Sequence, residues 1–369
     1  MTMKTQTMNR SSPYYQVSED LKAYPEAWAY VIVGGRNTGK TYGALKHYLE
    51  EKVPLVFIKR CNDDVDTLCA GNQLGKTAAD YEVDLSPYKS INRDLGTNIK
   101  AYKIKTGLGG FYKTGEDGAF GSPVAYLASL NAVQKIKGFD MSECESMVFD
   151  EFIPQPWERI SRKEGEQLMD LYKTVSRDRV LRGRPELKLI CLANAVNVWN
   201  PTCEILGLTD LIADMSIRGT ETYYDEERGI FVRILKTSGE MMEAEEKTGV
   251  YKAMKDTQWG RMAFSNEFGY NDFSKVKKVP LKGYRPYCQI LYKEKSWTLY
   301  QNDDAWYLSK SPASGVKITY NLNEETQQKL FYYDVVIDLW EAAISGKAYF
   351  QTYSMYDLIL NYKRRFIVT

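Results

Sequence analysis

The sequence predicts an α/β fold with a central, mostly parallel sheet in its N-terminal part and a second, α+β domain in its C-terminal part. Short apolar runs at Ala29–Val33 and Pro54–Ile58 are typical of buried strands, and helix-like spacing of Leu45 and Leu49 lies between them. A strand, a helix and a strand at this spacing form a βαβ unit, which requires parallel strands. In residues 247–369, strand-like segments precede helix-like segments, which is the order of an α+β domain.

Further segments extend both parts. We expect buried strands at Ser146–Phe149 and Leu187–Ala193, with a helix over Lys163–Ser176 between them. Residues 96–130 contain short alternating segments between glycine-rich turns, which predicts an antiparallel meander in or beside the parallel sheet. In the C-terminal part we expect three strands and then two helices, at Tyr287–Tyr292, Trp297–Tyr300, Trp306–Leu308, Phe331–Ile344 and Tyr353–Tyr362.

Length and patterning divide the chain into three segments. Its 369 residues are enough for two or three domains. We expect the first domain over residues 1–205 and the second over residues 247–369. Residues 206–246 mix short apolar segments with charge, as a linker or a lid does.

Composition excludes several classes of site. The single histidine rules out metal sites built from several histidines, and six cysteines without a C-x-x-C pair favour reduced thiols. The polar start Met1–Gln16 lacks the apolar core of a signal peptide. The 49 basic and 48 acidic side chains nearly cancel, but residues 246–369 hold 18 basic and 13 acidic ones. This asymmetry favours a polyanionic partner for the C-terminal part.

The loop after the first strand fits the pattern G-x-x-x-x-G-K-[ST] without a mismatch. It reads Gly34, Gly35, Arg36, Asn37, Thr38, Gly39, Lys40 and Thr41. Such a loop wraps phosphates with backbone N–H groups, while the lysine reaches the β- and γ-phosphates and the threonine hydroxyl binds Mg²⁺. The alternative is an ordinary glycine turn before a helix. Because a predicted strand precedes the loop and a predicted helix follows it, we favour a nucleotide-binding loop.

The apolar segment at 146–149 ends in Asp150 and Glu151, which has the form of a Walker B strand. Asp150 is then placed to hold Mg²⁺, and Glu151 to polarise an attacking water as general base. The alternative is an ordinary strand end. P-loop proteins with this glutamate usually have an extra strand between the two motifs, and residues 60–145 have room for it.

Two further sites carry candidate residues. Asn194 follows the predicted strand at 187–193, where it would contact a γ-phosphate or the lytic water; otherwise it begins a turn. Arginines can stabilise charge on a transferring phosphoryl group, in cis or from a neighbouring subunit, or they can form a solvated basic loop. The candidates after the predicted helix at 163–176 are Arg177, Arg179, Arg182 and Arg184.

Basic residues elsewhere are candidates for a polyanion surface, or are simply solvated. They occur in Lys103–Lys113, at Lys135 and Lys137, at Lys275, Lys277, Lys278, Lys282 and Arg285, and at Lys363, Arg364 and Arg365.

The chain resembles the DNA-packaging ATPases of small tailed phages, the phi-29-like group, in several segments. These are VIVGGRNTGKT, SMVFDEFI, KTVSRDR, LICLANAVNVWNP, WGRMAFSNEF and FSKVKKV. The resemblance implies an N-terminal P-loop ATPase domain of the ASCE class, a linker or lid, and a C-terminal RNase H-like domain that binds nucleic acid and has lost nuclease activity.

The resemblance also implies partners, a location and site residues. The expected assembly is a homopentameric ring at the portal vertex of an empty capsid in the cytoplasm of the bacterial host. It translocates double-stranded DNA with ATP and Mg²⁺, and a structural RNA on the capsid is a further partner. The family's phosphate loop falls on Gly34–Thr41, its Mg²⁺ aspartate on Asp150, its catalytic glutamate on Glu151 and its trans-acting arginine finger on Arg177. Arg36 matches an arginine common in packaging-ATPase phosphate loops.

The chain departs from the group in two places. Residues 60–145 are longer than expected, and Cys61 and Asn62 stand where basic residues are expected after the second strand. Acidic residues of the C-terminal part show no metal-ligand spacing, which favours an inactive nuclease. Two alternatives stay open: a terminase with an active C-terminal nuclease, and a nucleotide-gated scaffold without enzymatic activity.

Overall fold

A computed structural model describes residues 13–69, 85–115, 120–136, 138–155, 157–158, 160–264, 268 and 271–366. The chain divides into two compact units. Unit 1 contains Met1–Ile205 and Arg218–Tyr270, and unit 2 contains Leu206–Ile217 and Asn271–Thr369. The predicted bounds of the first and the second domain stay predictions.

The described strands form one sheet in each unit. Those of unit 1 are β1 (Ala29–Val33), β2 (Leu55–Lys59), β3 (Ile99–Lys105), β4 (Leu108–Thr114), β5 (Phe120–Ser129), β6 (Ser146–Asp150), β7 (Lys188–Ala193), β8 (Thr222–Asp225) and β9 (Ile230–Ile234). Those of unit 2 are β10 (Arg285–Tyr292), β11 (Lys295–Gln301), β12 (Trp306–Ser309), β13 (Thr319–Asn321) and β14 (Ala348–Phe350).

The helices precede, connect and follow these strands. In chain order they are α1 (Val17–Ala23), α2 (Lys40–Glu50), α3 (Asn62–Cys69), α4 (Lys89–Leu95), α5 (Val133–Ile136), α6 (Glu164–Ser176), α7 (Pro201–Ile205), α8 (Thr209–Arg218), α9 (Gly239–Glu246), α10 (Gly249–Met254), α11 (Gln258–Phe264), α12 (Glu325–Phe331), α13 (Ile337–Ile344), α14 (Tyr353–Leu360) and α15 (Tyr362–Arg365). None of the described helices is long and apolar enough to cross a lipid bilayer.

The sheet of unit 1 has the strand order β3-β4-β5-β2-β6-β7-β1-β9-β8. Strands β5, β2, β6, β7, β1 and β9 are mutually parallel. The sequence predicted a mostly parallel sheet because β1, β2, β6 and β7 are short apolar runs, and these runs are buried along almost their whole length. The mixed α/β fold with a large, mainly parallel sheet is therefore confirmed.

The antiparallel meander predicted over residues 96–130 is also confirmed. Strand β3 pairs antiparallel with β4, and β4 pairs antiparallel with β5. Strand β5 then runs parallel to β2, so the meander joins the edge of the parallel strands instead of forming a separate sheet.

Two expectations about this sheet need correction. The expected extra strand does lie between the motif-bearing strands β1 and β6, but it is β7 and does not come from residues 60–145, whose strands lie outward of β2. In addition, the predicted linker or lid 206–246 contains β8 and β9, and β9 pairs in parallel with β1 along its full length. The run Ile230–Ile234 is apolar enough to be buried there, but the charged residues before it obscured the pattern.

Unit 2 contains a five-stranded sheet with the order β13-β10-β11-β12-β14. The three predicted strands are confirmed, and they form a meander because β10, β11 and β12 pair antiparallel in succession. The helix predicted over Phe331–Ile344 begins earlier, at Glu325, and includes a π-helical turn at Tyr332–Val336. The RNase H-like identity of this unit stays a prediction.

Candidate active site

The carboxyl ends of four neighbouring strands bring polar groups to one edge of the large sheet. The loop Gly34–Gly39 follows β1, Asn194 follows β7, Asp150 ends β6 with Glu151 after it, and Lys59 ends β2. Open parallel sheets bind ligands at this edge. The fold therefore assembles residues that are up to 160 positions apart in the chain.

The loop after β1 requires glycine at two positions. Gly39, which precedes α2, has a φ of +83°, a region that favours glycine. A Cβ on Gly39 would lie 2.9 Å from the Cβ of Tyr14, and one on Gly34 would lie 2.7 Å from the Cβ of Leu235. The chain thus packs against the loop from both sides, and only glycine fits.

Lys40 begins α2 and folds its side chain back into the loop. Its Nζ donates to the carbonyl oxygens of Gly34, at 3.2 Å, and Gly35, at 2.6 Å. It also donates to Thr38 Oγ1, at 3.1 Å, and to Asn194 Oδ1, at 3.3 Å. The ammonium group therefore has a place prepared for it between the loop and the end of β7.

Burial lowers the pKa of Lys40 to about 8, although the nearby carboxylates of Asp150 and Glu151 raise it. Its side chain is 8% exposed. A buried ammonium group with neutral oxygen partners gains strongly from an added anion. This site therefore favours a phosphate near Lys40.

Asp150 contacts two residues through its two carboxylate oxygens. Thr41 donates its hydroxyl to Asp150 Oδ1 at 2.7 Å. Lys59 Nζ donates to Asp150 Oδ2 at 2.9 Å and to Glu151 Oε2 at 3.2 Å. Burial lowers the pKa of Lys59, but the two carboxylates outweigh it and the net shift is upward. Lys59 thus stays charged and balances both acids.

The hydroxyl and the carboxylate of this contact are suitable donors for Mg²⁺. This ion usually takes one or two protein oxygens and completes its shell with water and substrate phosphates. Among the described residues there is no cluster of three or more His, Cys, Asp or Glu that would hold a metal alone. Thr41 and Asp150 therefore fit a metal that arrives with a phosphate ligand.

A cavity of about 380 Å³ lies over these groups. Its lining residues are Arg36, Asn37, Thr38, Gly39, Lys40, Thr41, Tyr42, Asp150, Glu151, Leu192, Ala193 and Asn194. The candidate residues of the loop Gly34–Thr41, together with Asp150, Glu151 and Asn194, line this cavity, except for Gly34 and Gly35. Arg177 does not line it. Gly34 and Gly35 contribute carbonyl oxygens to Lys40 instead.

Glu151 adopts an unusual backbone conformation. Its φ is +57°, in the left-handed region that non-glycine residues rarely occupy. Its side chain is 65% exposed, while its carboxylate contacts Lys59. Backbone strain of this kind is common at functional sites, so its occurrence next to Asp150 supports a special position for Glu151.

Lys59 and Arg60 are site residues that the sequence reasoning missed. Basic residues were expected at Cys61 and Asn62, two positions further along the chain. Because β2 pairs with β6, the end of β2 lies directly beside Asp150. The Lys59-Arg60 pair after the apolar run of β2 is visible in the sequence. Its role could be recognised only with the strand order, which places β2 beside β6.

Arg177 lies apart from the residues that line the cavity. It caps the C-terminal end of α6 with φ +41° and ψ −128°, a conformation that favours glycine. Its guanidinium donates to the carbonyl of Phe139 at 2.8 Å and lies 3.4 Å from Asp140 Oδ2. Among the described residues, the basic side chains that line the cavity are Arg36 and Lys40, and Lys59 pairs with its two acidic residues.

The other arginines of this segment have structural contacts. Arg179 is buried and donates to the carbonyl of Cys144 at 2.6 Å. Arg184 donates to the carbonyls of Ser142 and Glu143. The exposed Arg182 pairs with Asp178, four residues earlier. Arg179 and Arg184 are thus committed to the segment before β6.

The sequence matches a family model and a packaging protein of a Bacillus phage. A family model described as Podovirus DNA encapsidation protein (Gp16) matches residues 8–331. The chain is 23% identical over 270 residues to the DNA packaging protein of Bacillus phage B103, covering 71% of this chain and 70% of that protein.

Two solved structures share the fold. One is described as the Phi-28 gp11 DNA packaging motor, with a TM-score of 0.60, 18% identity and coverage of 97% of this chain and 99% of that chain. The other is the bacteriophage Phi-29 viral genome packaging motor assembly, with a TM-score of 0.63, 17% identity and coverage of 96% and 99%. At these identities, the likeness establishes the fold.

Proposed function

The chain belongs to the podovirus DNA encapsidation protein (Gp16) family, and we propose that it is the ATPase that powers packaging of double-stranded DNA into a preformed capsid. The observation that carries the proposal is the contact of Thr41 Oγ1 with Asp150 Oδ1, at 2.7 Å, at the mouth of the loop that holds Lys40. It joins a phosphate-binding loop to a metal-binding carboxylate at the edge of a parallel sheet.

The proposed reaction assigns one task to each residue. The N–H groups of the loop and the Lys40 ammonium bind the β- and γ-phosphates, so Lys40 exchanges carbonyl partners for phosphate oxygens. Thr41 and Asp150 hold Mg²⁺, which neutralises charge on the phosphates when bound. Glu151 accepts a proton from the attacking water, and Asn194 donates a hydrogen bond to the γ-phosphate or the water.

Completion of this site by a second subunit is the next part of the proposal. Stabilising a transferring phosphoryl group calls for an arginine beside the γ-phosphate. Arg177 does not line the cavity of its own chain, and its strained backbone presents it in a surface turn. We assign Arg177 to the cavity of a neighbouring subunit, which requires a ring or another oligomer with the site at its interface; the family resemblance favours a pentameric ring.

The remaining partners follow from the family. The ring would sit at the portal of an empty capsid in the cytoplasm of the bacterial host, with double-stranded DNA as its substrate and a structural RNA as a further partner. Unit 2 would bind nucleic acid as a nuclease-like domain that no longer cuts. Its antiparallel meander flanked by a parallel strand on each side is the structural support for that part.

A DNA-stimulated ATPase assay tests the proposal. The full-length chain should hydrolyse ATP with Mg²⁺, and double-stranded DNA or empty capsids should raise the rate. A rate that does not respond to either would favour the scaffold. Incubation with supercoiled plasmid and Mn²⁺ should leave the plasmid intact, whereas nicking would favour the terminase with an active nuclease.

A further inference from the structure

Arg60 directly follows β2, and its guanidinium donates hydrogen bonds to four oxygen atoms. Its Nε contacts Glu164 Oε2 at 2.7 Å, and its Nη1 contacts Glu158 Oε2 at 2.8 Å. Its Nη2 donates to the backbone carbonyls of Glu151, at 2.9 Å, and Phe152, at 3.1 Å. A planar guanidinium can serve two carboxylates and the backbone at once, which a lysine cannot do. Arg60 thus holds the peptide groups that immediately follow the proposed Mg²⁺ ligand Asp150.

Glu164 is the main counter-ion of Arg60. It is the first residue of α6 and is only 2% exposed. Burial raises the pKa of Glu164, and the charge and hydrogen bond of Arg60 act against that rise. Because a buried carboxylate without its partner is costly, the pair fixes the end of β2 to the start of α6. Glu158, in contrast, is 39% exposed and contributes a weaker contact.

Helix α6 is itself braced against the rest of unit 1. At its first turn, a Cβ on Gly165 would lie 2.5 Å from the carbonyl oxygen of Pro201, so α6 packs closely on α7. Just beyond its last turn, Arg179 donates to the Cys144 carbonyl, two residues before β6. The start of β6 is therefore tied to one end of α6, and Arg60 ties the residues after β6 to the other end.

This bracing bears on Glu151, since its φ of +57° is not a conformation that an isolated strand end would keep. Its side chain is 65% exposed, and its carboxylate contacts Lys59 at 3.2 Å. Its own carbonyl and the next carbonyl both accept hydrogen bonds from Arg60, and the N–H of Phe152 donates to the carbonyl of Leu192 at 3.1 Å. Arg60 therefore contributes to the direction in which the Glu151 carboxylate points, because it holds both carbonyl groups of this turn.

We propose that Arg60 is a positioning residue for Glu151, held in place by Glu164, and that this ion pair sets the pose of the catalytic carboxylate without touching the nucleotide. The inference rests on the proposed function, because it assumes that Glu151 acts as the base. Neither Arg60 nor Glu164 lines the cavity, so their effect should fall on turnover and not on binding.

The test separates turnover from binding in two variants of the full-length chain. Arg60→Lys keeps the charge but loses the fork, and Glu164→Gln keeps the shape but loses the charge. In each, kcat should fall about tenfold or more, in line with misplacement of a general base. KM for ATP and the Kd of a non-hydrolysable ATP analogue should stay within about twofold of the wild-type values, because the ground-state contacts are intact.

Arg228→Lys is the matched control. Arg228 also pairs with a carboxylate, that of Asp225, at 2.8 Å, but it lies in the turn between β8 and β9. It should leave both kcat and KM unchanged. Amide hydrogen exchange provides a second readout: residues 151–153 should exchange faster in Arg60→Lys, while the loop 34–39 should not change.

The outcomes distinguish failure of the positioning role from failure of the proposed ATPase function. If Glu151→Gln abolishes turnover while Arg60→Lys and Glu164→Gln turn over at the wild-type rate, the positioning role is wrong and the ATPase proposal stands. A parallel loss of kcat and analogue affinity would also overturn it, because that result indicates a general structural role. If the wild-type chain itself shows no ATPase activity, the proposed function fails first.

Discussion

The two ends of α6 differ in their burial and in the residues that they contact. At the N-terminal end, Glu164 is buried and its ion pair with Arg60 reaches the backbone of Glu151, inside the same subunit. At the C-terminal end, Arg177 lies in a strained turn, and the next two apolar residues, Val180 and Leu181, are 65% and 88% exposed. One end supports the cavity of its own chain, whereas the other presents a cation and apolar surface outward.

This difference indicates that the proposed catalytic groups are divided between the cavity and the outer end of α6. The cavity contains groups for binding phosphate, holding Mg²⁺ and activating water, and these groups contact one another through Lys40, Lys59 and Asp150. The arginine proposed for the transition state is separate, although the same helix carries it. A hydrolysis cycle in one subunit would then be linked to the neighbouring cavity through α6.

The largest effect is expected at the outward end. Arg177→Ala should lower the DNA-stimulated ATPase rate of assembled rings by about 10³-fold or more, because an arginine finger contributes that much to phosphoryl transfer. Arg182→Ala, which removes an exposed arginine paired with Asp178, should change the rate by less than about twofold. Comparable losses in both variants would show that the segment matters only as basic surface.

The next effect is expected at the inward end. Glu151→Gln should lower turnover by about 10²- to 10⁴-fold, because the amide cannot accept the proton of the attacking water. ATP should still bind, as a fluorescent nucleotide titration would show. The same change at the exposed Glu221, which pairs with Lys236, serves as the control. An active Glu151→Gln variant would remove Glu151 from the role of base.

A smaller effect is expected from pH. Lys40 has a pKa of about 8 in the nucleotide-free protein and must be charged to bind phosphate. Nucleotide affinity should therefore fall by up to about tenfold per pH unit above that value. Calorimetric titration in buffers of different ionisation enthalpy should also detect proton uptake on binding. The affinity should be measured up to about pH 9.5, which is about one and a half units above the pKa of Lys40. An affinity that does not change over this range would contradict this account.

The same pKa shift gives a sign for stability. Because the folded-state pKa of Lys40 lies below its usual value of 10.5, the unfolded chain binds more protons between the two values. The nucleotide-free protein should thus gain a small amount of stability as the pH rises through this window. Bound nucleotide should remove that gain.

The smallest effect concerns the strain at Arg177. Both Arg177→Ala and Arg177→Gly remove the side chain, but only glycine accepts a φ of +41° and ψ of −128° without strain. The glycine variant should be more stable than the alanine variant by about 1 kcal/mol in urea unfolding. Equal stabilities would mean that the turn relaxes in the alanine variant.

Much of this arrangement could be predicted from the sequence. The apolar runs of β1, β6 and β7 locate the strands, and the residues that follow them define the cavity. Parallel strands bring their carboxyl ends to the same edge, so Lys40, Asp150 and Asn194 were expected to be close together. Their contacts confirm this proximity, while their catalytic roles stay predictions.

Other features depended on the three-dimensional pairing of strands. Lys59 and Arg60 acquire their partners only because β2 lies next to β6, and no local pattern specifies that order. Strand β9 was missed because its five residues form too short a run for its charged surroundings. The strain at Arg177 is a backbone property that residue identity does not reveal.

The central claim is that each hydrolysis site is shared between two subunits. The most direct measurement mixes Arg177→Ala subunits with Glu151→Gln subunits and records ATPase activity on capsids or DNA. Each variant alone should be inactive, and the mixture should recover activity, because an intact Glu151 then meets an intact Arg177 across some interfaces. Mixed rings that assemble but remain inactive would contradict the account.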